Sequence, residues 1–296
     1  MKVLVTGGTG FVGTKVVHAL RARDHAVRAL VRRPERAKTQ EAWGCELATG
    51  DVTDPASLRA AAEGCDAVVH LVSIISGKPD EFDRVMTKGT QDLLAAAQQA
   101  GVGRLVLMSA LGVNEQNRDL VPYFRAKWEM EQAVAASGLD FVVFRPSFVF
   151  GKDGGVLPMF VRQVKLSPLT PIVGDGAARL QPIWVDDVAE FFAQSVDSPG
   201  AVGRTFEIGG PDAVTWNEFY DRVKKVLDVR RGTVHLPVGL VRAAATLAEK
   251  LPGAPITRDQ LTMLTKGGDN VCDNGPALDT FDLDLVRLDE QIRRAA

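Results

Sequence analysis

Along the first half of this chain the apolar positions switch between two kinds of spacing. Val3, Leu4 and Val5 form a continuous apolar run of β-branched character, and Gly7, Gly8, Thr9, Gly10, Phe11, Val12 and Gly13 follow without a spacer. That order predicts a buried strand running into a glycine-rich turn. Val12, Val16 and Leu20 then recur every four residues with Ala19 beside them, which predicts an amphipathic helix from about Phe11 to Arg23. Ala26 to Val31 reads as a second strand closed by Arg32, Arg33 and Pro34, and another short apolar stretch ends at Gly50. Thr53 or Asp54 is placed to cap a helix running through Leu58 to Glu63. Asp66 to Ile75 is almost wholly apolar, as a central parallel strand covered on both faces should be. Gln91 to Gly101 is an alanine-rich helix, Arg104 to Ser109 a strand, Tyr123 to about Gly138 a helix, and Asp140 to Arg145 a strand. This alternation predicts an α/β fold built on a doubly wound parallel sheet.

Beyond Pro146 the texture changes. Gly151 to Gly176 carries glycine and proline at irregular intervals and reads as loops with one short helix near Met159 to Val164. Pro182 to Val196 reads as strand then helix, and Thr205 to Ile208 as one more strand. Residues 1–147 are expected to form a dinucleotide-binding domain to which 181–209 returns. Residues 148–296 are expected to form a smaller, mostly helical lobe on the substrate or partner side. Within that lobe the amphipathic stretch Leu240 to Leu251 is expected to pack internally, with a membrane or partner contact as the alternative.

Composition narrows the possibilities. With 46% apolar and 24% charged residues, an ordinary buried core is expected, and a formal charge of −2 gives no electrostatic case for nucleic acid or an anionic membrane. Cys45, Cys65 and Cys272 are widely spread, so neither a disulfide framework nor a zinc site is expected and a cytoplasmic location fits. No apolar run approaches the about eighteen residues of a transmembrane segment, and the N-terminus reads as a core strand rather than a signal peptide. The four histidines, His18, His25, His70 and His235, have no metal-ligand spacing.

The chemistry concentrates in a few places. A glycine turn between a strand and a helix lets the backbone approach a pyrophosphate, whose charge meets unpaired amides and the positive end of the helix dipole. The spacing is G-x-x-G-x-x-G over Gly7, Gly10 and Gly13. At the end of the second strand, where an acid would hold the ribose hydroxyls of NAD, stands Val31 followed by Arg32. This favours NADP(H) over NAD(H), the plain alternative being a solvated basic pair. Asp51 has two readings, an acceptor for an adenine amino group or a turn residue. His70, inside an apolar strand, reads as a satisfied core histidine. Tyr123 and Lys127 share one helix face at i and i+4, next to the face on which Phe124 and Trp128 pack inward.

Five segments in order, TGGTGFVG at Thr6 to Gly13, GDVTD at Gly50 to Asp54, YFRAK at Tyr123 to Lys127, RPSFVFG at Arg145 to Gly151 and QPIWVDDVA at Gln181 to Ala189, resemble the extended and atypical short-chain dehydrogenase/reductase proteins over essentially the whole chain. EIGGPDAVTWNEF at Glu207 to Phe219 and LPGAPITRDQLTML at Leu251 to Leu264 look most like the branch of the NDUFA-nine-type accessory subunit of respiratory complex I. The resemblance implies a Rossmann-type fold and NADP(H) as cofactor. Gly7, Gly10, Phe11, Val12 and Gly13 would hold the pyrophosphate, Arg32 the 2′-phosphate, Asp51 with Val52 the adenine, and Pro146 would also line the cofactor site. It implies that Lys127 binds the nicotinamide ribose and lowers the pKa of Tyr123, the acid or base, with Ser109 polarising the substrate. Two departures stand out: a one-residue shift would put Ala110 in place of Ser109, and Met86 occupies the position of a relay asparagine. Arg179 resembles a diphosphate contact of nucleotide-sugar enzymes, with a surface salt bridge as the alternative. The expected partner is a small-molecule substrate, and the branch resemblance adds a respiratory-complex or peripheral membrane partner.

Overall fold

A computed structural model describes residues 1–248 and 257–296. Seven strands form one all-parallel sheet: β1 (Lys2–Thr6), β2 (Ala26–Val31), β3 (Glu46–Thr49), β4 (Ala67–His70), β5 (Arg104–Met108), β6 (Asp140–Pro146) and β7 (Arg204–Ile208). Their spatial order is 3-2-1-4-5-6-7, so the direction of winding reverses between β1 and β4. Such a reversal leaves a crevice at the carboxyl ends of the two strands, and ligands of open α/β sheets sit there.

The pleat of β1 sorts the core. Val3 and Val5 face one layer, where α1 (Phe11–Ala22) packs against α5 (Val185–Ser195) with Val16, Val17, Leu20 and Phe192 buried between helices and sheet. Leu4 faces the other layer, made by α2 (Pro55–Ala62), α3 (Gly89–Gln99) and α4 (Pro122–Ala135), and packs with Leu58, Leu93 and Met130. At the far end of the sheet Phe144 of β6 is ringed by Phe191, Phe192, Phe206 and Phe281, with centroids 4.8 to 5.9 Å away. These aromatic contacts fix α5, β7 and the segment near residue 281 to one another.

Several expected boundaries move. The apolar run from Asp66 yields a strand only to His70, after which Leu71 to Ile74 leave the sheet and bend over its edge. Asp54, not Thr53, caps α2, accepting from the Ala56 amide at 3.1 Å. Ahead of α3, residues Asp83–Lys88 are wound in π-turns, a loosening that the sequence did not announce.

The second lobe contains more strand than expected. Leu169–Val173 pairs in parallel with Gly232–Leu236, Val149–Phe150 with Ile183–Trp184, and Arg179–Leu180 antiparallel with Val214–Thr215. Ile183 and Trp184 therefore pair outside the main sheet, whereas α5 and β7, which follow them, pack on it. The loop at Gly151 to Gly176 carries helix Leu157–Leu166, longer than predicted, and one of these strands. Helix Val238–Ala248 contacts helix Arg258–Lys266, and among its described side chains Ala245 is buried and Leu240 exposed. Residues 249–251 of the amphipathic stretch and 251–256 of the last motif lie outside the described residues.

Candidate active site

The glycine turn is held by its own backbone. Gly7 adopts φ +75°, open to glycine at little cost, and its carbonyl accepts from the Gly10 amide at 3.0 Å. A Cβ on Gly13 would land inside that same Gly7 carbonyl, so the first turn of α1 can lie against the loop only if residue 13 has no side chain. Gln40, fully buried, donates from Nε2 to the Gly8 carbonyl at 2.9 Å and fixes the turn from below. Nothing in the sequence pattern marked Gln40. Gly10 is the N-cap of α1 and supplies no capping side chain, which leaves the amides of Phe11, Val12 and Gly13 without an intrahelical partner. Thr9 and Gly10 are exposed above them. A diphosphate fits this cradle: bare amides, a helix tip, and close backbone approach enforced by Gly13.

The remaining wall positions converge on the same sheet edge. Gly7 abuts the backbone of Leu71 and Val72 beyond β4. The ring of Phe11 is covered by Gly151, Gly154 and Gly155, where side chains would overlap it. Arg32 extends from the end of β2 with its side chain 81% exposed and its Nε 3.9 Å from Asp51 Oδ2. Asp51 Oδ1 accepts from the amide and hydroxyl of Thr53 at 2.9 and 2.7 Å. Burial would raise its carboxyl, but these bonds and the charges of Arg32 and Arg84 outweigh burial and hold it below the ordinary carboxylate range. Asp51 is thus first a turn residue, with Oδ2 facing Arg32. Val52 is buried and its carbonyl closely faces Gly89 of α3. Pro146, also buried, ends β6, and its carbonyl receives the Leu111 amide at 2.9 Å.

Tyr123 and Lys127 lie one turn apart at the start of α4, with Lys127 Nζ 5.9 Å from the Tyr123 ring centroid. Lys127 is 1% exposed and donates to the Met108 carbonyl at 2.6 Å. Burial penalises its ammonium and takes the pKa to about 7, with Glu131 pulling the other way. One turn further along α4, Glu131 is clasped by Arg145 through two bonds of 2.9 and 2.6 Å. Burial pushes the Tyr123 phenol up to about 12, with the nearby Ser73 hydroxyl pulling the other way. The protein alone therefore does not lower the tyrosine pKa as the resemblance implied.

Ser73 was missed because it sits in what reads as continuous strand. The early end of β4 frees the segment to bend toward Tyr123, where the Ser73 hydroxyl also lies 3.9 Å from Met86 Sδ. Ser109, by contrast, is sealed: it is 1% exposed, and its hydroxyl has no hydrogen-bond partner among the described residues. Arg179 is exposed on the strand paired with Thr215, within the field of Glu218.

His70 is the core histidine its surroundings suggested. Its Nδ1 meets Thr6 Oγ1 at 2.6 Å and its Nε2 meets Thr90 Oγ1 at 3.0 Å. Because Thr90 already donates its proton to the Met86 carbonyl at 2.6 Å, it must accept from Nε2–H, and Nδ1 accepts from Thr6. One neutral tautomer satisfies every group.

Fold and site together define an NAD(P)H-binding protein. The chain belongs to the NAD(P)H-binding family, which it matches over residues 7–199. It is 28% identical over 271 residues, 85% of this chain and 80% of the relative, to the 4-hydroxy-2-methyl-3-oxo-4-farnesyl-3,4-dihydroquinoline-1-oxide ketoreductase of Stigmatella aurantiaca. It is 26% identical over 247 residues, 83% of this chain and 76% of the relative, to the photosystem II assembly factor Ycf39 of Trieres chinensis. The NADPH-dependent quinone oxidoreductase of Escherichia coli, solved with NADPH, shares the fold at a TM-score of 0.79 and 21% identity over 98% of both chains.

Burial and the Lys127 charge hold the His70 pKa at about 3, against 6.5 for the free side chain. The folded state thus prefers neutral His70. Its contribution is complete above about pH 6.5 and declines as pH falls toward 3, by about 1.4 kcal/mol per unit. In urea unfolding, the stability difference between wild type and His70→Leu should shrink from pH 6.5 downward; a difference independent of pH contradicts this assignment.

Proposed function

We propose that this protein is an NADP(H)-dependent oxidoreductase that interconverts a carbonyl and a hydroxyl group, with Tyr123 as acid/base. The observation that carries this reading is the Tyr123/Lys127 pair, placed on α4 at the same sheet edge as the glycine cradle, with the Ser73 hydroxyl near the phenol. The ketoreductase relative is of this reaction type by name.

When bound, the cofactor would supply hydride to the carbonyl carbon. The turn amides from Phe11 to Gly13 would hold its diphosphate, Arg32 its 2′-phosphate, and Lys127 the nicotinamide ribose. Tyr123 passes its phenolic proton to the carbonyl oxygen as that oxygen gains charge, and Lys127 as an ammonium stabilises the phenolate left behind. A phenol with a pKa of about 12 stays protonated throughout the neutral range, which suits the reducing direction. Ser73, not the sealed Ser109, is the hydroxyl available to the substrate oxygen.

A second reading, a cofactor-binding assembly or sensor protein of the kind the complex I accessory-subunit resemblance implies, draws on Met86 at the relay position, the sealed Ser109 and the assembly-factor relatives. It expects NADPH binding without turnover.

NADPH consumption by the purified protein against aldehydes, ketones and quinones tests the choice. Tyr123→Phe should lower kcat by about a hundredfold or more with NADPH affinity kept. Because protonated Lys127 is required, kcat/KM should be level below neutrality and fall as pH rises through about 7. Wild-type binding without any turnover, or full activity in Tyr123→Phe, overturns the reading. Arg32→Glu should weaken NADPH binding by about tenfold or more and leave NADH binding unchanged; equal loss for both cofactors would remove Arg32 from 2′-phosphate recognition.

A further inference from the structure

Lys127 carries the proposed chemistry only as an ammonium, yet it is 1% exposed and its hydrogen bond, 2.6 Å to the Met108 carbonyl, goes to a neutral acceptor. Burial favours the neutral amine, so a charge elsewhere in the structure has to offset it. One turn along α4 stands Glu131, itself 5% exposed. Residues four apart share a helix face with about 6 Å between their Cβ atoms, so carboxylate and amine are neighbours.

The carboxylate is in turn held from β6. Arg145 gives Nε to Oε1 at 2.9 Å and Nη2 to Oε2 at 2.6 Å, and its Nη1 lies 3.6 Å from Glu207, its partner across the sheet on β7. The forked guanidinium fixes both oxygens of Glu131 in one plane. Lys127 therefore feels the negative charge while its ammonium stays on the Met108 carbonyl at the end of β5. The other titratable groups around the lysine supply no charge: His70 on β4 is neutral above about pH 3, and the Tyr123 phenol is neutral below about pH 12. Glu129 is turned to Thr87, whose hydroxyl donates to it at 2.8 Å. An ion pair that only pinned α4 to the sheet could be replaced by apolar side chains without its desolvation cost. A buried carboxylate one turn from a buried amine has an electrostatic effect that no apolar pair reproduces.

We propose that Glu131 is a positioning residue that keeps Lys127 charged, and that Arg145, by clasping Glu131, keeps the carboxylate from drawing the ammonium away from the site. Its part in turnover rests on the reductase reading.

The test follows Lys127 in two ways: by the pH dependence of kcat/KM with saturating NADPH, and by the NMR titration of its isotope-labelled Cε in the whole chain, the signal being assigned by its loss from Lys127→Arg. In Glu131→Gln the midpoint should fall by about one pH unit or more from the wild-type value of about 7. This means about a fivefold loss of kcat/KM at about pH 7 and near-wild-type kcat/KM at about pH 5. Glu131→Asp keeps a carboxylate and should restore most of that loss. Arg145→Gln releases Glu131 to the lysine, so its midpoint should rise while kcat falls at every pH. Cooperative urea unfolding checks that each variant is folded; should Arg145→Gln not fold, the two Glu131 variants decide. An unmoved midpoint in Glu131→Gln, or equal losses at both pH values, overturns the proposal and leaves the reductase reading of an active enzyme intact. A lowered NMR midpoint in a protein without turnover overturns the reductase reading and keeps the hold of Glu131 on the lysine charge. Absence of both turnover and shift overturns the two together.

Discussion

The contact between Gly13 and the Gly7 carbonyl is the constraint from which the rest follows. It draws the first turn of α1 onto the loop after β1, and the amides at residues 11–13 are thereby stacked at the sheet edge without a side chain to cap them. Those amides would be a liability in a helix end with no ligand to receive them. The structure maintains this geometry with the buried Gln40 beneath the loop and with three glycines that let the 151–155 segment close over Phe11. A substantial share of the chain is thus spent on keeping one loop close and bare.

A second tension lies across the crevice. Lys127 is a buried amine whose burial alone favours the neutral form, while its proposed work at the ribose and the phenol needs the charge. Glu131 and Arg145 moderate that conflict from behind. Arg145 neutralises most of Glu131 through two short bonds and is itself shared with Glu207 on β7. The carboxylate therefore raises the lysine pKa without capturing the lysine, which remains pointed at the Met108 carbonyl beside the site. A bound diphosphate and a developing phenolate would both add negative charge nearby and favour the ammonium.

What could be read from the sequence follows the range of the interactions. Local patterning found β1, α1 and β2 almost to the residue because the continuous apolar run of Val3, Leu4 and Val5 and the four-residue spacing of Val16 and Leu20 are local signals. Local spacing also found the Gly7, Gly10 and Gly13 turn and the pairing of Tyr123 with Lys127. It could not show that β4 ends at His70, because the residues after it remain apolar while bending to a different surface, and Ser73 was hidden with them. Nor could it show that Ser109 is sealed or that Gln40 props the turn, since both depend on neighbours distant in the chain.

Calorimetric titration of NADPH into the wild-type protein and into Gly13→Ala bears most directly on the central claim. The account predicts stoichiometric binding to the wild type and an affinity lower by about tenfold or more in a Gly13→Ala variant that still unfolds cooperatively. Equal affinities for the two proteins, or a wild type that takes up neither NADPH nor NADH, would contradict it.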